Sequence, residues 1–206
     1  MLTREPQIEI QNVVASGNLN QNLDLYAILK ANPAANYNPQ TFPGLLYRLK
    51  RPRTSTLLFA SGRMICTGGK SERSAKNALN RLVNELQTHG IVIARKPRVE
   101  IVNIVASANL GGTIDLELVA QQLTPTMYEP EQFPGLIYRM VEPKTVILIF
   151  TSGRLVITGA RRETDVKSAV KKLQETLEKD QLISYNESSH IDRVSLPTIA
   201  PVESII

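Results

Sequence analysis

The sequence predicts an α+β chain made of two tandem copies of one unit, each a strand-rich sheet with helices on one face. Three observations predict it. Residues 8–89 align with residues 99–180 at a constant offset of 91, without a gap, and 32 of the 82 aligned positions are identical. Both copies show the same order of patterns: strand, helix, loop, three strands, long helix, strand. Helical patterns number only two per copy against about five strands, too few to cover both faces of a sheet.

Taken in order, Ile8–Ser16 and Val99–Ser107 are rich in β-branched residues and read as strands. Asp24–Leu29 and Asp115–Leu123 read as short helices, with each aspartate placed to cap or to sit in the first turn. Pro- and Asn-containing loops follow at Asn32–Thr41 and Thr124–Gln132. Strands are expected at Leu45–Leu49 and Leu136–Val141. After Pro52 and Pro143 the chain resumes as strands Thr56–Ser61 and Val146–Ser152. Ser-Gly-Arg at 61–63 and 152–154 makes a tight turn, because glycine tolerates positive φ. Met64–Thr67 and Leu155–Thr158 return from it. In the long helix Glu72–Gln87, Leu79, Leu82, Val83 and Leu86 form one stripe and Lys76, Asn80, Arg81 and Asn84 stay outside. Its counterpart is Glu163–Lys179. Ile91–Arg95 and Leu182–Tyr185 are expected to close each unit with a strand. The units are therefore 1–97 and 98–185, and 186–206 is a polar tail without an expected fold.

The strands do not alternate apolar with polar. Leu57 and Phe59 point one way and Leu58 and Ala60 the other; Ile65 and Thr67 oppose Met64 and Cys66. Both faces are largely apolar, yet the helices suffice for one. The second face is either an exposed binding surface, a surface packed by other parts of the chain, or the core of an obligate dimer.

Composition excludes several classes. No run of eighteen apolar residues offers a transmembrane helix, and the N-terminal residues carry no apolar signal region. One cysteine, Cys66, allows no internal disulfide and fits a reducing compartment. With two histidines there is no zinc set, no cofactor-binding fingerprint appears, and no catalytic cluster repeats. Net charge is +5, unevenly spread: residues 1–97 carry 13 Lys/Arg and 5 Asp/Glu, residues 98–206 carry 11 and 14. The basic surplus favours a polyanion, and the asymmetry gives two similar shapes different electrical neighbours. A two-fold-related pair of units suits a target that is itself nearly symmetric, such as double-stranded DNA.

The repeated motifs carry more. FPGLLYR at 42–48 recurs as FPGLIYR at 133–139, FASGR at 59–63 as FTSGR at 150–154, and Thr-Gly at 67–68 as 158–159. With EIQNVVAS at 9–16 and VITGA at 156–160, these segments resemble the TATA-box-binding protein family over residues 7 to about 185. The resemblance implies a saddle: a curved ten-stranded antiparallel sheet with four helices on its convex face. It implies a general transcription initiation factor that makes and breaks no bonds. Such a factor binds TATA-like, A·T-rich promoter DNA in the minor groove, kinks it, and recruits a transcription factor B-type protein and through it RNA polymerase. It implies no cofactor, and it allows a homodimer through the concave face in competition with DNA.

Residue by residue, the resemblance places Phe42, Phe59, Phe133 and Phe150 as the wedges that enter base steps. A phenyl ring is flat and apolar and buries no unpaired polar group there. Asn12 and Asn103 match the central asparagines, and Thr67 and Thr158 the threonines, that meet the adenine N3 and thymine O2 acceptors. Val14, Leu57, Ile65, Val105, Leu148 and Val156 match apolar positions on the groove floor, where a guanine amino group would go unpaired. Arg48, Arg63, Arg139, Arg154, Lys70 and Arg161 match phosphate-contacting positions. Glu129 and Glu131 lie in the second loop, or stirrup, where the family docks its B-type factor; the first stirrup has Asn38 and Gln40. Pro-Gly after the wedge in both stirrups, and no low-complexity segment before residue 8, look archaeal, which implies a place in the nucleoid; a eukaryotic member would be nuclear.

Overall fold

The computed structural model describes residues 5–185; the expected tail at 186–206 lies outside them. The elements run β1 (Gln7–Asn18), α1 (Leu25–Ala31), β2 (Ala35–Asn36), β3 (Leu45–Leu49), β4 (Thr54–Leu58), β5 (Arg63–Gly69) and α2 (Glu72–Thr88). The second copy gives β6 (Arg98–Asn109), β7 (Thr113–Ile114), α3 (Leu116–Gln122), β8 (Thr126–Met127), β9 (Leu136–Met140), β10 (Thr145–Ile149), β11 (Arg154–Ala160), α4 (Glu163–Lys179) and β12 (Ile183–Ser184).

Ten strands form one antiparallel sheet in the order β2-β3-β4-β5-β1-β6-β11-β10-β9-β8. The order is a palindrome about the β1–β6 pair, so the approximate two-fold axis passes between these two strands. Short turns join β3 to β4 to β5 and β9 to β10 to β11, which keeps these strands antiparallel. Gly62 and Gly153 sit at φ +79° and +74° in the Ser-Gly-Arg turns, as the sequence requires.

Two expectations at the sheet margins need correction. Ile91–Arg95 is β-branched but forms no strand; it is an extended connector from α2 to β6. The fifth strand of each half comes instead from inside the stirrup loops, as the two-residue β2 and β8, which pair with β3 and β9. In the second half, Ile183–Ser184 pairs with Thr113–Ile114 in a separate two-stranded sheet. The sheet runs from β2 at one edge to β8 at the other, and neither closing segment pairs with it.

The core lies between one face of the sheet and the long helices. Ala75, Ala78, Leu79, Leu82, Val83 and Leu86 of α2 are buried, facing core residues that include Val13, Ala15, Leu58, Met64 and Cys66. In α4 the equivalent stripe is Val166, Ala169, Val170, Leu173 and Leu177. Asp24 and Asp115 cap the short helices by accepting from Ala27 N–H and from Glu117 and Leu118 N–H. Cys66 faces the core, and burial pushes its thiol up from the ordinary range.

The long helices start beside each other across the two-fold. Glu72 N–H donates to Glu163 Oε1 at 2.8 Å, and Glu163 N–H donates to Glu72 Oε1 at 2.8 Å. Each carboxylate caps the helix of the other copy, where the positive end of the helix favours it. For α2 this adds to a local cap, Ser71 Oγ accepting from Ser74 N–H. For α4 the N-cap residue is Arg162, whose side chain makes no cap bond. Glu72→Ala should therefore destabilise the chain by about 1 kcal/mol, a fall of roughly 2–4 °C in Tm. Glu163→Ala should cost less, because Ser71 still serves α2. Calorimetry of the two variants checks the order.

Candidate nucleic-acid interface

The helices cover one face of the ten-stranded sheet, and among the described residues no element packs on the other. Its residues follow from register. In the first half Leu46 pairs with Leu57, Leu57 with Ile65 and Ile65 with Ser16. In the second, Ile137 pairs with Leu148, Leu148 with Val156 and Val156 with Ser107. Directly paired residues share a face, so each series is a row across the sheet. These rows bring together Leu57, Ile65, Leu148 and Val156, and they add Leu46 and Ile137, which the sequence reading missed. All six remain partly or largely exposed, whereas their neighbours Leu58, Met64, Ile149 and Leu155 are buried on the helix side.

At the centre, Asn12 faces Val105 and Val14 faces Asn103 across β1 and β6. Here strict alternation fails. Ile10 and Val13 both pack on the core side, as do Ile101 and Ile104, leaving two residues rather than one between each pair. The register shifts between Ile10 and Asn12 and again opposite Val102. These are β-bulges, one in each copy, and each turns two successive residues toward the open face: Gln11 with Asn12, and Val102 with Asn103.

The asparagine amides are oriented by the backbone. Asn12 Oδ1 accepts from Gly68 N–H at 2.8 Å, and Asn103 Oδ1 accepts from Gly159 N–H at 2.8 Å. A backbone N–H can only donate, so the oxygen is fixed inward and Nδ2 is the outward group. Nδ2 donates one hydrogen to Thr67 Oγ1 (3.1 Å) and, in the other copy, to Thr158 Oγ1 (3.2 Å), keeping a second hydrogen for a partner beyond the sheet. Gly68 and Gly159 reach this position at φ +96° and +88°, which explains the Thr-Gly pair repeated in sequence.

The four phenylalanines form two pairs at the ends of the face. Phe42 and Phe59 have ring centroids 6.2 Å apart at 62°, and Phe133 and Phe150 are 5.9 Å apart at 65°. Such edge-to-face contacts hold the rings without burying them. Phe42 is 44% exposed and Phe133 is 37% exposed. The glycine of each Phe-Pro-Gly motif makes room: a Cβ on Gly44 would meet Phe42 at 2.6 Å, and one on Gly135 would meet Phe133 at 2.7 Å.

Arg48, Arg63, Arg139, Lys70 and Arg161 are exposed and Arg154 is half-buried; among the described residues none of the six joins a salt bridge. Arg48 pairs with Ser55, and Ser55 with Thr67, so this arginine ends a row on the open face. Arg139, Val146 and Thr158 repeat the arrangement. Lys70 Nζ donates to Gln11 O at 2.9 Å. Glu129 and Glu131 are exposed in the second stirrup, where Glu129 O accepts from Gln132 and Phe133 N–H and so shapes the turn before the wedge. Among the described residues no group of three or more His, Cys, Asp or Glu could hold a metal, and no helix is long and apolar enough to cross a membrane.

The two-copy architecture, with an open sheet face bearing paired rings, paired amides and unpaired arginines, defines a tandem-repeat binding protein. The family model "Transcription factor TFIID (or TATA-binding protein, TBP)" matches residues 7–89 and again 98–179. The TATA-box-binding protein of Pyrodictium occultum is 51% identical over 175 residues, 85% of this chain and 88% of its own length. That of Sulfolobus acidocaldarius is 49% identical over 170 residues, 82% and 86% of the two chains. The solved structure of Methanococcus jannaschii TBP superposes with a TM-score of 0.76 at 43% identity, covering 84% of this chain and 99% of that one. The chain belongs to the TATA-box-binding protein family, general transcription initiation factors that are not enzymes, and its fold is the saddle of that family.

Proposed function

We propose that this chain binds A·T-rich promoter DNA through the open face of its sheet, entering the minor groove and kinking the duplex at two steps. The observation that carries this reading is the fixed orientation of Asn12 and Asn103. Each presents a donor outward, and the minor groove of an A·T pair presents only acceptors. Around these donors, Val14, Val105, Leu57, Leu148, Ile65 and Val156 supply an apolar floor. A guanine amino group pressed against it goes unpaired, at a cost of roughly 1–3 kcal/mol.

Phe42 with Phe59, and Phe133 with Phe150, act as the wedges. Unstacking a step costs a few kcal/mol and is offset by apolar burial along the groove. Flexible TA steps unstack more readily than stiff ones and so add preference at positions without hydrogen bonds. The six basic residues meet phosphates and make binding weaken steeply with salt. The exposed Glu129 and Glu131 give the second stirrup a charge that Asn38 and Gln40 do not give the first. That stirrup is where a transcription factor B-type protein docks, bringing RNA polymerase. The same open face lets two copies self-associate, in competition with DNA. With archaeal relatives, the place of action is the nucleoid.

The test is energy transfer between dyes on the two ends of a short duplex. An A·T-rich duplex should show its ends drawn together at nanomolar protein, and a G·C-rich duplex of equal length should not. Equal response of both duplexes overturns the reading. In the same assay, Glu129→Lys with Glu131→Lys should bend DNA normally but fail to retain an archaeal B-type factor on the complex. Loss of bending in that variant counts against the stirrup assignment.

A further inference from the structure

The two halves of the open face are nearly equal, and beside the exchange of Ser55 for Val146 their clearest difference lies at the centre. The bulge in β1 presents Gln11 and the matching bulge in β6 presents Val102. Gln11 Nε2 donates to Ser107 Oγ at 2.8 Å across the two-fold. Ser107 lies in the row of Val156 and Leu148, so the Gln11 amide rests over the second half of the face. Its main-chain oxygen is pinned by Lys70. With Nε2 engaged, Oε1 has no partner among the described residues. Val102 is 39% exposed and has no polar atom with which to answer Ser16, the counterpart of Ser107.

We infer that Gln11 and Val102 make the face read its two halves differently: a G·C pair beside the centre is accepted over Gln11 and rejected over Val102. The inference rests on the proposal that this face enters the minor groove. The only feature distinguishing G·C there is the guanine amino group, a donor that needs an acceptor. Gln11 Oε1 is such an acceptor, held at the surface by the bond of its own amide nitrogen. Against Val102 the amino group loses its water and gains nothing. The chain thereby carries a sequence polarity of its own, independent of any partner at the stirrups.

Three duplexes test it by fluorescence anisotropy: an all-A·T site, the same site with one G·C pair beside its centre, and one with G·C pairs on both sides. Either orientation of the protein is open to it, so the single G·C pair can always be placed over Gln11. The wild-type chain should bind the first two within about threefold and the third about tenfold more weakly. Gln11→Val should raise the ratio between all-A·T and single-G·C affinities about tenfold, whatever it does to the all-A·T site itself. Val102→Gln should restore the double-G·C site. If the wild type binds the all-A·T site well but loses tenfold on a single G·C pair, and Gln11→Val changes nothing, the inference falls while the groove-binding proposal stands. If the wild type shows no preference for the all-A·T site, both fall.

Discussion

Phe133→Ala combined with Phe150→Ala is expected to abolish the kink at one end of the bound duplex and weaken binding by about 100-fold or more. Each ring that enters a base step is buried from water in the complex, and full burial of a phenylalanine contributes roughly 1.5–3 kcal/mol. Two rings lost together remove enough to leave the unstacked step without compensation. The fold should survive, because these rings pack on each other and on Gly135 rather than in the core. End-to-end energy transfer on an A·T-rich duplex should drop to about half the wild-type change, with an unaltered circular dichroism spectrum. Bending that persists in the double variant would refute the wedge assignment.

The second large effect is expected from Asn12→Asp with Asn103→Asp. Aspartate keeps an oxygen where Oδ1 accepts from Gly68 and Gly159 N–H, so the local backbone should hold. The outward group changes from a donor to a carboxylate oxygen. The two proposed hydrogen bonds to groove acceptors would be lost, and two negative charges would face a polyanion. A loss of more than about 100-fold in affinity is expected at moderate salt, since charge-bearing mispairs cost several kcal/mol in a desolvated site. An affinity within tenfold of wild type would show that the amides do not meet the bases.

Much of the open face is legible in the sequence, for a physical reason. A constant offset of 91 marks Phe42, Asn12, Thr67 and Arg48 as recurring unchanged; core residues such as Leu82 and Leu86 recur too, so the offset alone does not separate the face from the core. Strand periodicity then separated Leu57 and Ile65 from Leu58 and Met64. Three things escaped it. The outer strands β2 and β8 are two residues each inside Pro-containing loops, too short to show a period. Ile91–Arg95 has strand-like composition, but composition does not bring a segment to a sheet edge, and this one pairs with neither edge strand, β2 nor β8. The bulges at Gln11 and Val102 were invisible, because a bulge is a property of register between strands distant in sequence. The counts of two residues between Ile10 and Val13, and between Ile101 and Ile104, were the available signal.

The exchange of carboxylates between Glu72 and Glu163 bears on where mechanical work is done. Neither half can swing relative to its twin without stripping an acceptor from a peptide at the start of each long helix, and the continuous β1–β6 ladder resists the same motion. The protein is therefore built as a stiff anvil, and under the proposed groove binding it is the double helix that would yield to it.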